Sequence, residues 1–174
     1  QPDKESFIRE VLDGLTAPPK YFGMNVAMNK GGYESLENVI NKGLNPVSAE
    51  DFENYAEETG ALILDTRSPV EFHQGFIPNA INIGLKGDFA PWVGTLIVDV
   101  KHPILLVSDE GTEEEVITRL SRVGFDNVVG YLKGGFEAWK NSGNEIDEIK
   151  RISLTEFAEE FTENAKVLDV RKIS

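Results

Sequence analysis

The residues best suited to chemistry lie in a short loop, 108–113, which follows an apolar stretch at 102–107. The pattern that starts at Glu114 predicts a helix directly after this loop. A strand that leads through a short loop into a helix points backbone N–H groups into one bowl, and these donors and the helix dipole favour an anion there. Several classes of enzyme place a cysteine at the first loop position, because the bowl stabilises a thiolate. In this chain that position is Ser108, and none of the 174 residues is cysteine.

The composition excludes several classes of partner and site. The chain has 30 acidic and 17 basic residues and a net charge of −13, which argues against nucleic acid or an anionic membrane as a partner. No apolar run reaches the length of a membrane span, and residues 1–4 do not resemble a signal peptide. The absence of cysteine excludes disulfides and thiolate zinc sites and favours a cytoplasmic protein. Because the chain starts at Gln1 and not at a methionine, we expect it to be part of a longer polypeptide.

Short apolar segments that alternate with amphipathic ones predict the elements that must position the loop. Helices are expected at 5–13, 49–58, 89–98, 113–123 and 135–141, with a helical turn after Pro69, and strands at 61–64, around Ile81 and Ile83, at 104–107 and at 127–129. Residues 16–46 are interrupted by glycine, proline and asparagine and are expected to be irregular. The alternation predicts an α/β fold with a parallel sheet and helices on both faces, in which sites form at the carboxyl ends of strands.

The chain also contains an internal repeat. The segment 48–52 is similar to 153–157, and the segment 64–67 is similar to 168–171. The second copy therefore supplies one helix and one strand before residue 174, and no α/β domain closes on so little. We expect the chain to end inside a second copy of the same domain, with residues 144–151 as the linker.

Three segments in register resemble the rhodanese family. Residues 64–83 are similar to its N-terminal signature, residues 108–113 to its six-residue active loop, and residues 132–139 to its C-terminal signature. The order and spacing agree over about residues 48–143. The resemblance implies a three-layer α/β fold with a five-stranded parallel sheet and helices on both faces. For active members it implies sulfur transfer through a cysteine persulfide.

Two departures from the family pattern fall on the chemistry. Ser108 replaces the nucleophilic cysteine, and Glu113 replaces the arginine that ends the loop. The whole active loop is Ser108, Asp109, Glu110, Gly111, Thr112 and Glu113. A serine cannot hold a transferable sulfur, and the carboxylates repel an anionic donor such as thiosulfate. We therefore expect no catalytic residues here, with Asp65 and Arg67 flanking the degenerate site as a structural pair.

An alternative is that Ser108 serves a residual or altered enzyme that binds or transfers a small group. The nucleophile elbow of serine hydrolases needs glycine two residues before and two after the serine, where this chain has Leu106 and Glu110. Of the two histidines, His102 starts the strand that ends at Ser108, so only His73 could approach the hydroxyl. A pairing of Glu71 with His73 is expected to be a surface turn rather than an acid–base pair.

The N-terminal region carries a second resemblance. Residues 12–22 and 28–30 are similar to the tail of metallo-β-lactamase-fold persulfide dioxygenases, in some of which rhodanese domains follow the metal domain. This resemblance implies three parts, namely the tail of that domain and a linker at 1–46, a rhodanese-like domain at 47–145, and a linker with a truncated second copy at 146–174. It also implies that the parent protein is an enzyme, a metallo-β-lactamase-fold hydrolase or persulfide dioxygenase.

The partners expected from this organisation are the adjacent metallo-β-lactamase-like and rhodanese domains of the same polypeptide. No cofactor is expected in this chain, and an iron or zinc ion is expected only in the upstream domain. Oligomerisation stays open. The functional prediction is a non-catalytic rhodanese-like module with a structural or domain-docking role in a multidomain enzyme of sulfur metabolism.

Overall fold

A single parallel sheet organises the protein, whose computed structural model describes residues 3–14 and 21–170. Its strands are β1 (Pro46–Val47), β2 (Leu62–Asp65), β3 (Ile81–Asn82), β4 (Ile104–Val107) and β5 (Val128–Leu132). They lie in the order β1-β5-β4-β2-β3, and every neighbouring pair is parallel. The described helices are α1 (Lys4–Leu12), α2 (Phe22–Gly31), α3 (Leu36–Gly43), α4 (Phe52–Thr59), α5 (Pro69–Phe72), α6 (Phe89–Leu96), α7 (Glu113–Ser121), α8 (Gly135–Asn141) and α9 (Leu154–Glu160).

The central strand β4 is apolar throughout because both of its faces are covered. Ile104 and Leu106 join one hydrophobic cluster, which includes residues of α3, α6 and α7. Leu105 and Val107 join a second cluster, which includes residues of α4 and α8. Alternate side chains of a strand point to opposite faces, so one uninterrupted apolar run serves two cores. The predicted three-layer α/β fold with a five-stranded parallel sheet is confirmed.

The strands β2 and β4 are neighbours in the sheet, with Leu64 opposite Leu106 and Asp65 opposite Val107. From β2 the chain goes on to β3 at one edge, whereas from β4 it goes on to β5 on the other side. The carboxyl ends of β2 and β4 therefore flank a point where the strand order reverses. Ligand sites in open α/β sheets form at such points. Asp65 ends β2 and Ser108 directly follows β4 at this position.

The prediction of an irregular stretch at 16–46 is wrong over α2 and α3, while residues 16–20 lie outside the described part of the chain. The helix α3 begins where the Ser35 hydroxyl accepts a hydrogen bond from the Asn38 backbone N–H, and it buries Val39 at 1% exposure. Its last residue, Gly43, lies so near α7 that a Cβ there would be 2.8 Å from Cδ1 of Ile117. Tertiary packing thus outweighs the low helix propensity of the composition.

Other elements differ from the prediction at their ends. The helix predicted at 49–58 starts later, because the Ser48 hydroxyl accepts a hydrogen bond from the backbone N–H of Asp51 within a turn, and α4 begins at Phe52. The strand predicted at 127–129 runs on as β5 to Leu132. The strand β1 escaped the prediction because two residues carry no periodicity, yet Pro46 and Val47 pair with Tyr131 and Leu132.

The region after α8 does not behave as a free linker throughout. The Trp139 indole N–H donates to the carbonyl of Glu145 at 2.8 Å, and Asp147 pairs with Phe76 in an antiparallel bridge. The segment predicted to start a second copy contains α9, whose Ser153 and Glu156 form a capping box. No strand forms at 161–170, where Leu168 and Val170 are exposed, and residue 171 lies outside the described part of the chain. None of the helices in the described ranges has the length and apolarity that a membrane crossing requires.

Gly94 on α6 contacts the residue just before α2. The Tyr21 ring covers Gly94 so closely that a Cβ at Gly94 would overlap the ring. Tyr21 also packs against the cluster formed with α3, α6 and α7. The absence of a side chain at Gly94 therefore makes room for the N-terminal segment on the domain.

We expect Gly94→Ala to have opposite effects in two backgrounds. In the natural chain the added methyl group meets the Tyr21 ring, and the free energy of unfolding falls by about 1–3 kcal/mol. In a Tyr21→Ala background the same change gains helix propensity and raises it by up to about 1 kcal/mol. Urea denaturation of the four chains of this cycle measures both effects. Equal effects of Gly94→Ala in the two backgrounds would contradict the contact.

Candidate functional site

A buried ion pair lies at the end of β2, on one side of the site. Nη2 of Arg67 lies 2.6 Å from Oδ2 of Asp65, and Nε lies 3.1 Å from both carboxylate oxygens. The backbone N–H of Arg67 also donates to Oδ1 of Asp65 at 3.0 Å. Asp65 is 0% exposed and Arg67 is 7% exposed. The carboxylate thus has several donors in place of water, as a buried charge requires.

The same arginine connects β2 with two other parts of the domain. Its Nη2 donates to the carbonyl of Gly75 at 3.0 Å, in the segment after α5. Its guanidinium lies 3.9 Å from the centroid of the Phe136 ring on α8, at cation–π distance. Arg67 therefore connects β2 with the segment after α5 and with α8, at the carboxyl end of the sheet.

Burial is the main influence on the acid of this pair. It raises the pKa of the Asp65 carboxyl above its usual value, while the hydrogen bonds and charge of Arg67 act against this rise. The direction of this shift means that the Asp65 carboxyl needs Arg67 beside it to stay ionised. Without Arg67 a bare charge would remain in the interior of the sheet.

The active loop lies opposite the ion pair, and several of its backbone N–H groups have no protein partner among the described residues. Thr112 closes the loop, because its backbone N–H and its hydroxyl both donate to the carbonyl of Asp109, at 3.0 and 2.7 Å. The backbone N–H groups of Asp109, Glu110 and Gly111 donate to no protein acceptor among the residues that the structure describes. The loop thus has unpaired backbone donors at the start of α7, the end of a helix that favours an anion.

The loop approaches α8 very closely at its first residue. A Cβ on Gly135 would lie 3.1 Å from the carbonyl oxygen of Ser108, and Gly134 and Gly135 both have positive φ, at 77° and 60°. A residue with a side chain at Gly135 would meet both the close approach and the strained backbone. This glycine pair sets the distance between α8 and Ser108.

Between the ion pair and the loop lies a cleft of about 340 Å³. Its floor, as we name the buried lining residues, consists of Arg67, Gly75, Ser108 and Phe136. Its rim, as we name the exposed ones, consists of Glu71, Gln74, Asp109, Glu110, Gly134, Glu137 and Lys140. Four carboxylates and one lysine therefore surround the entrance.

The structure brings only part of the predicted loop to this cleft. Ser108, Asp109 and Glu110 line it, together with Arg67, and Asp65 lies behind Arg67. The remaining loop residues, Gly111, Thr112 and Glu113, do not line it. Glu113, which stands in place of the family's arginine, therefore adds no charge to the lining of the cleft, and the negative charge at its entrance comes from the rim carboxylates. Two of these, Glu71 and Glu137, were not assigned to the site from sequence, because their positions depend on how α5 and α8 pack.

No histidine stands beside Ser108. Neither His73 nor His102, both in the described part of the chain, lines the cleft. Glu71 is held in a capping box at the start of α5, where the backbone N–H and hydroxyl of Ser68 donate to it, and these bonds lower the pKa of Glu71. The arrangement matches the expected surface turn and supplies no imidazole to activate the Ser108 hydroxyl. Within the described ranges, no group of three or more His, Asp or Glu side chains is placed to hold a metal ion.

We expect either half of the buried ion pair to be costly to remove alone. Asp65→Leu and Arg67→Met, made singly, each leave one buried charge without its partner and lower the free energy of unfolding by about 3–5 kcal/mol. The double variant Asp65→Leu/Arg67→Met leaves no buried charge, so its loss is smaller than the sum of the two single losses. Guanidinium denaturation measures the cycle, with Glu57→Gln on the exposed face of α4 as the control, which should change stability by less than about 0.5 kcal/mol. Strict additivity would show that the two side chains do not depend on each other.

Comparisons with known proteins agree with this fold. An uncharacterised protein of Buchnera aphidicola subsp. Schizaphis graminum is 33% identical over 91 residues, which are 52% of this chain and 60% of that protein. This chain thus spans about three fifths of that relative. The solution structure of the rhodanese-like domain of the Anabaena sp. Alr3790 protein superposes with a TM-score of 0.51 at 22% identity, over 74% of this chain and 91% of that one. A metallo-β-lactamase from Staphylococcus aureus subsp. aureus COL superposes with a TM-score of 0.57 at 22% identity, over 76% of this chain and 35% of that one.

The family model for the rhodanese-like domain matches residues 48–142, more than half of the chain. The matched range includes the sheet strands β2 to β5, the buried pair at the end of β2, and the cleft at Ser108. The chain therefore belongs to the rhodanese-like domain family.

Proposed function

We propose that this chain is a non-catalytic rhodanese-like module with a structural or domain-docking role in a multidomain enzyme of sulfur metabolism, of the persulfide dioxygenase or sulfurtransferase type. The observation that carries the proposal is Ser108. In the resemblance of this loop to the active loop of the family, Ser108 stands at the position of the nucleophilic cysteine, and it is 4% exposed and lines the cleft. The fold is that of the family, but the chain has no cysteine to carry a sulfur atom.

Two properties of the cleft argue against sulfur transfer. A serine hydroxyl cannot carry a sulfane sulfur, and no imidazole lines the cleft to raise its nucleophilicity. Asp109, Glu110 and Glu137 at the rim repel an anionic donor such as thiosulfate. Like charges about 4 Å apart cost about 1 kcal/mol in water and several times more in a cleft.

The proposed partners are a metallo-β-lactamase-like domain and a second rhodanese domain of the same polypeptide. The likeness to the S. aureus metallo-β-lactamase supports this organisation, because this chain matches only 35% of that longer chain. An iron or zinc ion would belong to the upstream domain. The acidic rim offers a docking surface for a basic patch on a neighbouring domain. We propose a cytoplasmic location for the assembly, in keeping with a chain that contains no cysteine.

A second candidate is a cleft that binds or transfers a small group. It is favoured by the Ser108 hydroxyl, which lines the cleft and forms no hydrogen bond with any of the described residues. Binding needs only hydrogen-bond donors and acceptors, whereas transfer also needs a general base.

We expect the chain to show no thiosulfate:cyanide sulfurtransferase activity above the uncatalysed rate, because no residue can form a persulfide. Thiocyanate formation measures this, with a rhodanese that has the active cysteine as the positive control. The Ser108→Ala variant should be equally inactive. Turnover by the natural chain that is lost in Ser108→Ala would contradict the proposal.

We expect charge reversal at the rim to weaken domain docking. In the full-length polypeptide, Asp109→Lys/Glu110→Lys turns attraction to a basic patch into repulsion and reduces cross-links between the rhodanese-like module and its neighbours several-fold. Quantitative cross-linking with mass spectrometry measures the loss. The matched control is Glu57→Lys/Glu58→Lys, which reverses two adjacent exposed acids on α4 away from the cleft. Equal cross-linking by the natural protein and the rim variant would count against docking through this surface.

A further inference from the structure

The Ser108 hydroxyl is a polar group of the cleft that the fold does not use. Ser108 as a residue is 4% exposed and lines the cleft, and its Oγ forms no hydrogen bond with any residue in the described ranges. The Oγ is not one of the fully enclosed unpartnered polar atoms of the described residues, so it faces the open space of the cleft. The position of Ser108 on the floor leaves its hydroxyl available to a molecule in the cleft.

Other unpaired donors lie close to Ser108. The helix α7, nine residues long, starts at the last loop residue, and the backbone N–H groups of Asp109 and Glu110, which line the cleft, have no protein acceptor among the described residues. Nη1 of Arg67 likewise forms no hydrogen bond or ion pair there, since Asp65 and Gly75 are bonded by Nε and Nη2. The floor therefore favours an acceptor group such as a carboxylate.

The rim has the opposite character. Asp109, Glu110 and Glu137 are exposed and form no ion pair with any described residue, and Lys140 is the cation at this rim. The charge of Arg67 on the floor is already balanced by Asp65. A ligand with an anionic group alone would have to pass the rim carboxylates, whereas a purely cationic ligand would meet donors at the floor.

We propose that the cleft binds a small zwitterion, with its carboxylate on the floor donors at Ser108 and its ammonium group among the rim carboxylates at Asp109 and Glu110. The volume of about 340 Å³ lies at the small end of the range of ligand pockets, about 300–1,000 Å³. A zwitterion has no net charge, so the acidic rim does not exclude it. The proposal goes beyond the docking role, and it requires binding only, with no chemical step.

The test is a titration of the ¹⁵N-labelled 174-residue chain, followed by ¹H–¹⁵N NMR. The probes are glycine and γ-aminobutyrate, with butyrate and butylamine as analogues that carry one charge each. We expect a zwitterion to shift the backbone amide signals of Asp109, Glu110, Gly111 and Gly135. It should bind at least about 10-fold more tightly than either single-charge analogue, because both ends of the cleft contribute.

Variants separate the contributions of floor and rim. Ser108→Ala should weaken binding of the zwitterion about 5- to 10-fold, as expected for the loss of one hydrogen bond to a charged group. Asp109→Asn/Glu110→Gln should bring its affinity down to that of butyrate. The matched controls are Ser121→Ala and Glu114→Gln, which make the same changes on α7 outside the cleft and should leave binding unchanged.

Three outcomes would overturn the proposal. The first is the absence of shifts at the loop amides with either zwitterion. The second is equal affinity for a zwitterion and for butyrate or butylamine, and the third is binding that Ser108→Ala does not weaken. The amide spectrum of each variant also shows that it is folded. None of these results bears on sulfur transfer, so failure here leaves the proposed docking role to its own tests.

Discussion

The buried ion pair between Asp65 and Arg67 is the interaction on which the site depends. Asp65 ends a central strand at the point where the strand order reverses, in register with Val107 of the neighbouring strand. A carboxylate with 0% exposure needs a counter-charge, and Arg67 supplies it while also bonding Gly75 and packing on Phe136. The stability of the sheet end and the shape of the cleft therefore have the same cause. The pair forms no hydrogen bond with Ser108, so its contribution does not depend on the residue at the start of the loop.

The fold was predictable from sequence where local pattern and tertiary environment agree. The strand β4 and the helix α8 match their predicted bounds, because an apolar run and a glycine pair mark them clearly. The helix α3 was missed, because its formation depends on the burial of Val39 and on the contact of Gly43 with Ile117, which composition does not reveal. Long-range packing outweighed propensity there.

The site was predictable only in part, for a related reason. The loop signature located Ser108 and its two acidic neighbours, since these residues follow a strand end directly. The loop signature could not predict that Glu137 lines the cleft and that Glu113 does not. Glu137 reaches the rim because Gly135 lets α8 approach the loop, while Glu113 starts the next helix and does not line the cleft. The negative rim is thus a product of three elements rather than of the loop alone.

The most direct test measures whether the loop at position 108 can form a persulfide when its first residue is a cysteine. The variant Ser108→Cys/Asp109→Asn/Glu110→Gln restores the nucleophile and removes two rim charges. In thiosulfate, its thiolate attacks the outer sulfur, and sulfite leaves. Intact-mass spectrometry should show a gain of one sulfur atom that cyanide removes, because the backbone donors and the buried pair are in place. A folded variant whose thiol stays unmodified, under conditions in which an active rhodanese is persulfidated, would contradict the account.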